Sequence, residues 1–162
     1  MSKNTIITCG VYGFTAETFE QAVVKAKPDV FVDVRRRRGV RGHDYSFANS
    51  QRLQDMLAKN NISYVHRLEL AAPEATMKRE GEIDKKAGIA RHDRDHLSEE
   101  FLHDYDSAVL NDFDAGKFIE SLGEVHRVLL MCVEKTPAAC HRGLLADAIE
   151  KQLGWERLDL EP

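Results

Sequence analysis

VLLMCVEKTPAACHRGLLAD, residues 128–147, is the stretch that decides the fold prediction for this chain. It begins with the apolar run of residues 128–133, which is typical of a short strand buried on both faces. Thr136 and Pro137 then break any regular element. From Cys140 onward, apolar residues recur at helical spacing. The stretch therefore predicts a buried strand, a polar loop and the beginning of a helix.

The start of this predicted helix indicates an anion-binding position. Free backbone N–H groups and the helix dipole point towards the same spot at a helix N-terminus. Arg142 lies in the first turn, where a cation is unfavourable against the dipole unless something negative lies between them. We therefore interpret Arg142 as a residue that faces a bound anion.

Length and composition predict one domain over residues 1–162, with a substantial core. Hydrophobic residues make up 43% and charged residues 31%, which is typical of a soluble globular protein. The net charge of −4 argues against a strongly basic nucleic-acid coat. Three cysteines, no signal peptide and no membrane-length apolar run favour the cytoplasm and no membrane partner. The oligomeric state has no signature in the sequence.

The rest of the chain alternates between predicted strands and helices. Strands are predicted at residues 5–9, 30–34, 62–66, 128–133 and 155–160, and further helices near Thr15, Asn49 or Ser50, Ser98 and Asp114. This alternation predicts an α/β fold, a three-layer α/β/α sandwich with a mainly parallel sheet of about five strands. Residues 69–97 are charged and weakly periodic, and they are expected to form a loop excursion.

Ionisable residues follow several of the predicted strands. Gly10 follows the first strand, Asp33 and Arg35 end the second, and Cys132 and Glu134 end the fourth. Ligands of parallel α/β sheets bind at the carboxyl ends of the strands. The pattern therefore predicts a ligand site at this edge of the sheet.

Four of the candidate residues each have a structural alternative. Asp33 either serves the ligand, by orienting an arginine or acting as a base, or is a carboxylate bonded to neighbouring backbone. Glu134 is a general acid/base group or a loop carboxylate paired with Lys135 in solvent. His141 is a proton carrier or a helix-end contact. Cys140 is a nucleophile activated at a helix start or a small buried side chain.

Metal binding is the less favoured interpretation of the cysteines and histidines. Cys132, Cys140 and His141 carry suitable ligand atoms, and His92 and His96 have a spacing of four. The chain has no closely spaced cysteine pair, and the two further histidines lie in a charged region. The predicted site therefore contains no metal and no cofactor.

RRRRGVR, residues 35–41, is the one basic patch of the sequence. It is either a solvated loop or a clamp for the phosphates of a nucleotide or a nucleic-acid backbone. Tyr45 and Phe47 follow closely, and aromatic rings beside arginines can stack on bases. A nucleic-acid-binding module is therefore an alternative function.

The segment around Cys132 and Glu134 resembles the hallmark of a bacterial and archaeal family catalogued as domain of unknown function 488. In that family a strand ends in Cys-x-Glu, and Cys-His-Arg follows on the next helix. VDVR at residues 32–35 resembles the second motif of the family, and Gly10 lies where the family has its first glycine. The chain departs from the family in lacking a proline after VDVR and a glycine pair after the third strand.

The resemblance implies a fold and a site, since the family has no assigned reaction. The site that it implies consists of Asp33, Arg35, Cys132, Glu134, Cys140, His141 and Arg142. Together, the residues and the resemblance favour a hydrolase or transferase that binds an anionic, phosphate-bearing, nucleotide-like molecule. Its expected catalytic residues are Asp33, Glu134, Cys140 and His141, and its expected substrate-binding residues are Gly10, Arg35, Cys132 and Arg142. A nucleotide sensor without turnover is a further alternative.

Overall fold

The computed structural model describes residues 3–162 of the chain. In this part of the chain, five parallel strands form one sheet in the order β3-β2-β4-β1-β5. The strands are β1 (Thr5–Cys9), β2 (Val30–Asp33), β3 (Ser63–His66), β4 (Arg127–Met131) and β5 (Glu156–Leu160). The predicted α/β class and parallel sheet are confirmed.

Helices cover both faces of the sheet and complete the three layers. They are α1 (Ala16–Ala26), α2 (Ser50–Lys59), α3 (Glu74–Lys86), α4 (Glu99–Ala108), α5 (Ala115–Ser121) and α6 (His141–Leu153). α1 and α2 pack on one face, whereas α4, α5 and α6 pack on the other. Among residues 3–162, no helix combines the length and the apolar character needed to cross a lipid bilayer.

The central strand β4 is buried on both faces. Val128 and Leu130 point into the layer that contains α4 to α6, and Leu129 and Met131 point into the layer that contains α1 and α2. None of these four side chains is exposed to solvent. Because successive side chains of a strand point to opposite faces, a strand covered on both faces has a continuous apolar sequence. This explains why the sequence pattern located β4.

The starts of α1 and α4 are stabilised by side-chain caps. The Thr15 hydroxyl accepts a hydrogen bond from the Thr18 backbone N–H at 3.1 Å, and the Thr18 hydroxyl accepts one from the Thr15 N–H at 2.9 Å. Ser98 caps α4 in the same manner. Asn49 precedes α2 but does not cap it through its side chain, because its amide oxygen accepts a hydrogen bond from the Val40 N–H at 2.7 Å.

The expected loop at residues 69–97 is wrong over Glu74–Lys86, which form α3, whereas residues 87–97 contain only the short 3₁₀ turn Arg91–Asp93. The helix was missed because its buried residues are polar. Thr76, Glu80 and Asp84 recur every four residues and form the buried face. An apolar periodicity is therefore absent from the sequence although the helix has a distinct inner face.

Hydrogen bonds and an ion pair hold this polar face of α3. The Glu80 carboxylate accepts hydrogen bonds from the Ser98 hydroxyl at 2.6 Å and from its backbone N–H at 2.8 Å. Asp84 accepts a hydrogen bond from Nε of Arg94 at 2.8 Å. These contacts hold α3 against the start of α4 and against the loop that precedes α4. In this position α3 forms one wall of a crevice at the carboxyl edge of the sheet.

Candidate functional site

The crevice forms where the connections of neighbouring strands diverge. β4 leads into α6 on one face of the sheet, whereas its two neighbours, β1 and β2, lead into helices on the opposite face. Such a divergence opens a space beyond the carboxyl ends of the strands, and parallel α/β sheets bind their ligands there. The site predicted from the sequence lies at this edge.

The crevice has two adjoining compartments. The large compartment has a volume of about 490 Å³ and lies between α3, α4 and the start of α6. The second, of about 380 Å³, is lined by five arginines, and we call it the arginine compartment. Its arginines are Arg35, Arg36, Arg37, Arg41 and Arg91. Six residues line both compartments and mark where they meet, namely Arg36, Arg37, Met77, Arg91, Cys132 and His141.

Two cysteines and a histidine form a buried group that we call the thiol–imidazole cluster. Cys132 follows β4, Cys140 is the N-cap of α6, and His141 is the first residue of that helix. Nδ1 of His141 lies 3.9 Å from Sγ of Cys132 and 3.8 Å from Sγ of Cys140. All three side chains are buried, yet all three line the large compartment. The loop between β4 and α6 thus brings together residues that are eight positions apart in the sequence.

A backbone contact determines how the imidazole is oriented. Nε2 of His141 lies 2.8 Å from the carbonyl oxygen of Val34, at the end of β2. Because a carbonyl only accepts hydrogen bonds, Nε2 carries the proton, and Nδ1 faces the two sulfurs. His141 is therefore neither a surface residue nor a simple helix-end contact.

The cluster favours a thiolate at Cys140. Burial by itself raises the pKa of the Cys140 thiol, but the hydrogen bond from Cys132 and the charges of His141 and Arg142 outweigh it and hold the pKa well below its ordinary value. The hydrogen bond to Cys140, together with burial, raises the pKa of Cys132. Cys140 is therefore the more acidic of the two thiols.

Glu134 is buried beside this cluster. Its Oε1 accepts hydrogen bonds from Nε of Arg91 at 2.8 Å and from Nη1 of Arg94 at 3.4 Å, while Oε2 lies 3.7 Å from Sγ of Cys132. Burial raises the pKa of Glu134, and the nearby Cys140 adds to the rise, while the two arginines oppose it. The alternative of a solvated pair with Lys135 is wrong. The arrangement leaves one carboxylate oxygen directed towards the cluster.

Asp33 orients Arg35 and is not placed as a catalytic base. Its Oδ1 accepts hydrogen bonds from Nε of Arg35 at 2.9 Å and from the Arg35 backbone N–H at 3.1 Å. Its Oδ2 accepts from Nη2 of Arg35 at 2.8 Å and from the Tyr64 hydroxyl at 2.7 Å. Asp33 is fully buried and lines neither compartment, so the expected catalytic role is corrected to a positioning role.

Arg35 retains an unused hydrogen-bond donor. The side chain is only 2% exposed, and its Nη1 has no hydrogen-bond partner among residues 3–162. It also lines the arginine compartment. A buried guanidinium without a partner for one of its nitrogens is costly unless a ligand or water completes its hydrogen bonds. The predicted substrate-binding role of Arg35 therefore stays a prediction, now with a specific atom.

Arg142 lies underneath the loop and not in the crevice, so its expected contact with a ligand is replaced by a contact with the backbone. It is 0% exposed and lines neither compartment. Its Nη1 donates to the Glu134 carbonyl at 2.7 Å, and its Nη2 lies 3.4 Å from the Lys135 carbonyl. The negative groups that offset its charge at the start of α6 are these carbonyl oxygens, and Arg142 thereby fixes the backbone that carries Glu134.

Gly10 also supports this loop and does not line the crevice. A Cβ atom added at Gly10 would lie 2.0 Å from the Glu134 carbonyl oxygen and 3.2 Å from Nη2 of Arg142. Only glycine allows the end of β1 to approach the loop so closely. The expected substrate-binding role of Gly10 is therefore corrected to close backbone packing.

The arginine run is only partly a free basic surface. Arg36 donates to a backbone carbonyl at 2.8 Å, and Arg37 pairs with Glu74 on α3. Phe47 is buried in the core, and Tyr45 packs against it, with ring centroids 6.2 Å apart. Phe47 is therefore not placed to stack on a base, which removes one of the two aromatic rings on which the nucleic-acid alternative depended.

Three residues of the site were missed by sequence reasoning. Arg91 and Arg94 lie in the segment expected to be a loop, and Tyr64 lies inside β3. The two arginines lie near Glu134 only because α3 brings their segment back over the sheet. No local sequence pattern marks that contact, which joins positions about forty residues apart.

A sequence model described as "Domain of unknown function DUF488" matches residues 15–149 of the chain. This range covers most of the chain, and the chain belongs to this family. No curated protein and no solved structure gives a significant match. The matched range includes β2, β4, the thiol–imidazole cluster and Glu134, whereas Gly10 and β5 lie outside it.

Proposed function

We propose that this DUF488 protein is an enzyme, a hydrolase or a transferase, that acts on a phosphate-bearing, nucleotide-like small molecule. One observation carries the proposal. The buried Arg35, whose Nη1 has no hydrogen-bond partner among residues 3–162, lines the same crevice as the buried Glu134 and the thiol–imidazole cluster. Anion recognition and acid–base chemistry are thus available within one cavity.

The arginine compartment has the charge of a phosphate site. Five arginines line it, and among the described residues of its lining none is an aspartate or a glutamate. Arg35 forms a bidentate ion pair with Asp33, so the orientation of its guanidinium group is fixed before a ligand binds. Guanidinium groups match the geometry of phosphate oxygens and form strong charge-assisted hydrogen bonds with them. A phosphate group is therefore the ligand that best completes this compartment.

The large compartment suits the remainder of such a substrate. Its volume of about 490 Å³ lies within the usual range for small-molecule sites. Apolar side chains, among them Met77, Leu97 and Phe101, line it beside carboxylates of α3. Cationic side chains line it as well, namely Arg36, Arg37, Lys78, Lys85, Arg91 and Arg94. A ring system can pack on the apolar part while its polar edges bond to the carboxylates. The two compartments therefore accommodate the two chemically different parts of a nucleotide-like molecule.

The reacting bond is expected where the compartments meet. Cys132 and His141 line both of them, and Glu134 lies beside Cys132. In this position Glu134 can transfer a proton to or from a reacting group, the role of a general acid/base catalyst. The arginines can stabilise negative charge that develops on the phosphate or on a leaving group. These roles fit hydrolysis and group transfer equally.

A ligand screen by thermal shift tests the proposal. The probes are inorganic phosphate and a panel of nucleoside mono- and diphosphates, applied to the wild type, to Arg41→Gln in the arginine compartment, and to Arg52→Gln. Arg52 is the matched control, because it lies on α2 and lines neither compartment. A ligand at about 100 times its Kd raises the free energy of unfolding by about 2.7 kcal/mol, which is a shift of about 5–10 °C.

We expect this shift in the wild type and in Arg52→Gln, and a much smaller one in Arg41→Gln. The binding proposal fails if no phosphate compound stabilises the wild type, or if Arg41→Gln responds like the wild type. A compound that binds is then incubated with excess enzyme for a single turnover. Product that the wild type forms and Glu134→Gln does not form would support an enzymatic function. Binding to the wild type without formation of product would favour the sensor alternative.

A further inference from the structure

We infer that Cys132, Cys140 and His141 form a binding site for a divalent transition metal of the Zn²⁺ type, with a fourth coordination position open to the crevice. The site itself does not depend on the nature of the substrate. Its use in catalysis, as a source of activated water, rests on the proposed function. The argument proceeds from the distances, the orientation of the imidazole and the surroundings of the open position.

The three ligand atoms have nearly the separations that a tetrahedral metal imposes. Bond lengths of about 2.3 Å to sulfur and about 2.0–2.1 Å to nitrogen place neighbouring ligand atoms about 3.5–3.8 Å apart. Nδ1 of His141 lies 3.9 Å and 3.8 Å from the two sulfurs, and all three ligand atoms lie within 4.8 Å of one another. Small side-chain adjustments therefore suffice to complete the coordination. Thiolate and imidazole are the preferred ligands of Zn²⁺.

The imidazole is already oriented as in a metal site. Histidines that ligate metals donate their second ring N–H to a carbonyl or carboxylate, which directs the other nitrogen at the metal. Nε2 of His141 makes this contact with the Val34 carbonyl at 2.8 Å. The ring of Tyr105 packs against His141 with centroids 5.5 Å apart, and the Tyr105 hydroxyl donates to the Leu70 carbonyl at 2.7 Å. Both contacts restrict rotation of the imidazole.

The number and position of the ligands indicate a catalytic and not a structural metal. Structural zinc sites have four protein ligands, whereas catalytic sites have three and leave one position for water or substrate. The described cluster has three members, and all of them line the large compartment, which provides access for the metal and for water. Two thiolates neutralise the charge of a divalent cation, so the buried site needs no further anion.

Glu134 lies next to the expected open position. Arg91 and Arg94 hold its Oε1, and its Oε2 lies 3.7 Å from Sγ of Cys132. A water molecule bound to the metal would therefore have a carboxylate oxygen beside it to accept its proton. A metal lowers the pKa of its bound water and so supplies hydroxide at neutral pH. This deepens the proposed function towards hydrolysis, with Glu134 as the base and not as a ligand.

Metal content of the purified full chain tests the inference. The chain is produced with a tag that is cleaved off, purified under reducing conditions, passed through metal-depleted buffer and measured by plasma mass spectrometry. Cys9→Ser is the matched control, because Cys9 is also buried but lies outside the cluster. Among residues 3–162, its Sγ makes a hydrogen bond only with the neighbouring Gly10 carbonyl. We expect about one zinc per chain in the wild type and in Cys9→Ser.

The zinc content of Cys132→Ser and of Cys140→Ser is expected to be lower than that of Cys9→Ser by a factor of about ten or more. If these variants fail to fold, Co²⁺ bound to the metal-free wild type is the second measurement. Tetrahedral Co²⁺ with sulfur ligands is expected to give intense visible bands and, separately, a thiolate-to-cobalt charge-transfer band. A wild type that holds no zinc and takes up neither Zn²⁺ nor Co²⁺ would overturn the inference, as would a Cys132–Cys140 disulfide that persists under reducing conditions.

The outcome is separable from that of the proposed function. Phosphate recognition is read from the thermal shift and its loss in Arg41→Gln, and the metal site is read from metal content and the cobalt spectrum. Zinc without any phosphate response would retain the metal site and refute the proposed substrate class. A phosphate response in a protein that takes up no metal would refute the metal site alone.

Discussion

Arg35 and Arg142 are both buried, both lie in the range that matches the family, and each has one guanidinium nitrogen without a hydrogen-bond partner among residues 3–162. The end of β2 and the start of α6 nevertheless use them differently. Arg35 is paired with the Asp33 carboxylate and lines the arginine compartment, whereas Arg142 binds carbonyl oxygens under the loop and lines neither compartment. The partner and the cavity, and not burial, therefore distinguish an arginine that lines the crevice from one that holds the loop.

The largest effect is expected when Arg35 is removed. Arg35→Ala leaves the Asp33 carboxylate buried and without its cation, which costs about 3–5 kcal/mol of unfolding free energy. Urea denaturation followed by circular dichroism measures this loss. The double variant Asp33→Ala/Arg35→Ala removes both charges and is expected to be more stable than Arg35→Ala. A double variant as unstable as the single one would show that the ion pair is not the cause.

A smaller loss of stability is expected at the other arginine. Arg142→Met keeps much of the side-chain volume but leaves the Glu134 carbonyl without its donor, at a cost of about 1–3 kcal/mol. Isothermal titration with a phosphate compound that binds the wild type is expected to give a Kd within about threefold of the wild-type value, because Arg142 does not line the crevice. A Kd raised as much as in Arg41→Gln would contradict the distinction between the two arginines.

Gly10→Ala probes the same loop from β1. The added Cβ meets the Glu134 carbonyl oxygen at 2.0 Å, so the loop has to move, at a cost of about 1–3 kcal/mol. Thermal unfolding measures this loss of stability. The control has to be a glycine without a positive φ, which excludes Gly123. Gly81→Ala on α3 is the control, since a Cβ there meets nothing within 4 Å. Equal stability of Gly10→Ala and Gly81→Ala would contradict the close packing.

The smallest effect on stability is expected at the mouth of the arginine compartment. Arg41 is exposed, so Arg41→Gln changes the free energy of unfolding by less than about 0.5 kcal/mol. In the proposed complex Arg41 donates a charged hydrogen bond to the phosphate, so the Kd of this variant is expected to rise about tenfold or more. Denaturation and titration on the same preparation separate the two quantities. If Arg41→Gln were destabilised but bound the phosphate compound with an unchanged Kd, Arg41 would support the fold and not the binding of phosphate.

The sequence predicted the edge of the sheet at which the candidate residues lie. The apolar run of β4 and the residues after it are local signals, and parallel strands bring their carboxyl ends together whatever the details of packing. Cys132, Glu134, Cys140 and His141 were therefore grouped correctly without any coordinates. The roles of Asp33, Gly10 and Arg142 were not predictable in this way, because a polar residue at a strand end serves equally well as a backbone anchor.

The wall of the crevice opposite α6 was not predicted, for a different physical reason. α3 buries Thr76, Glu80 and Asp84, so its inner face has no apolar pattern. The partners of the two carboxylates, Ser98 and Arg94, follow the helix in the chain and give no periodic signal. A helix held by polar contacts is recognisable only when those contacts are seen, and the arginines that reach Glu134 depend on it.

The position of a bound oxyanion tests the central claim most directly, that the arginine compartment and the thiol–imidazole cluster form one substrate site. Tungstate is a heavy analogue of phosphate, and its anomalous signal locates it in crystals of the wild type. The density is expected beside Nη1 of Arg35, in the compartment that also contains Arg41. Tungstate bound at the start of α6 beside Arg142, or outside the crevice altogether, would contradict the claim.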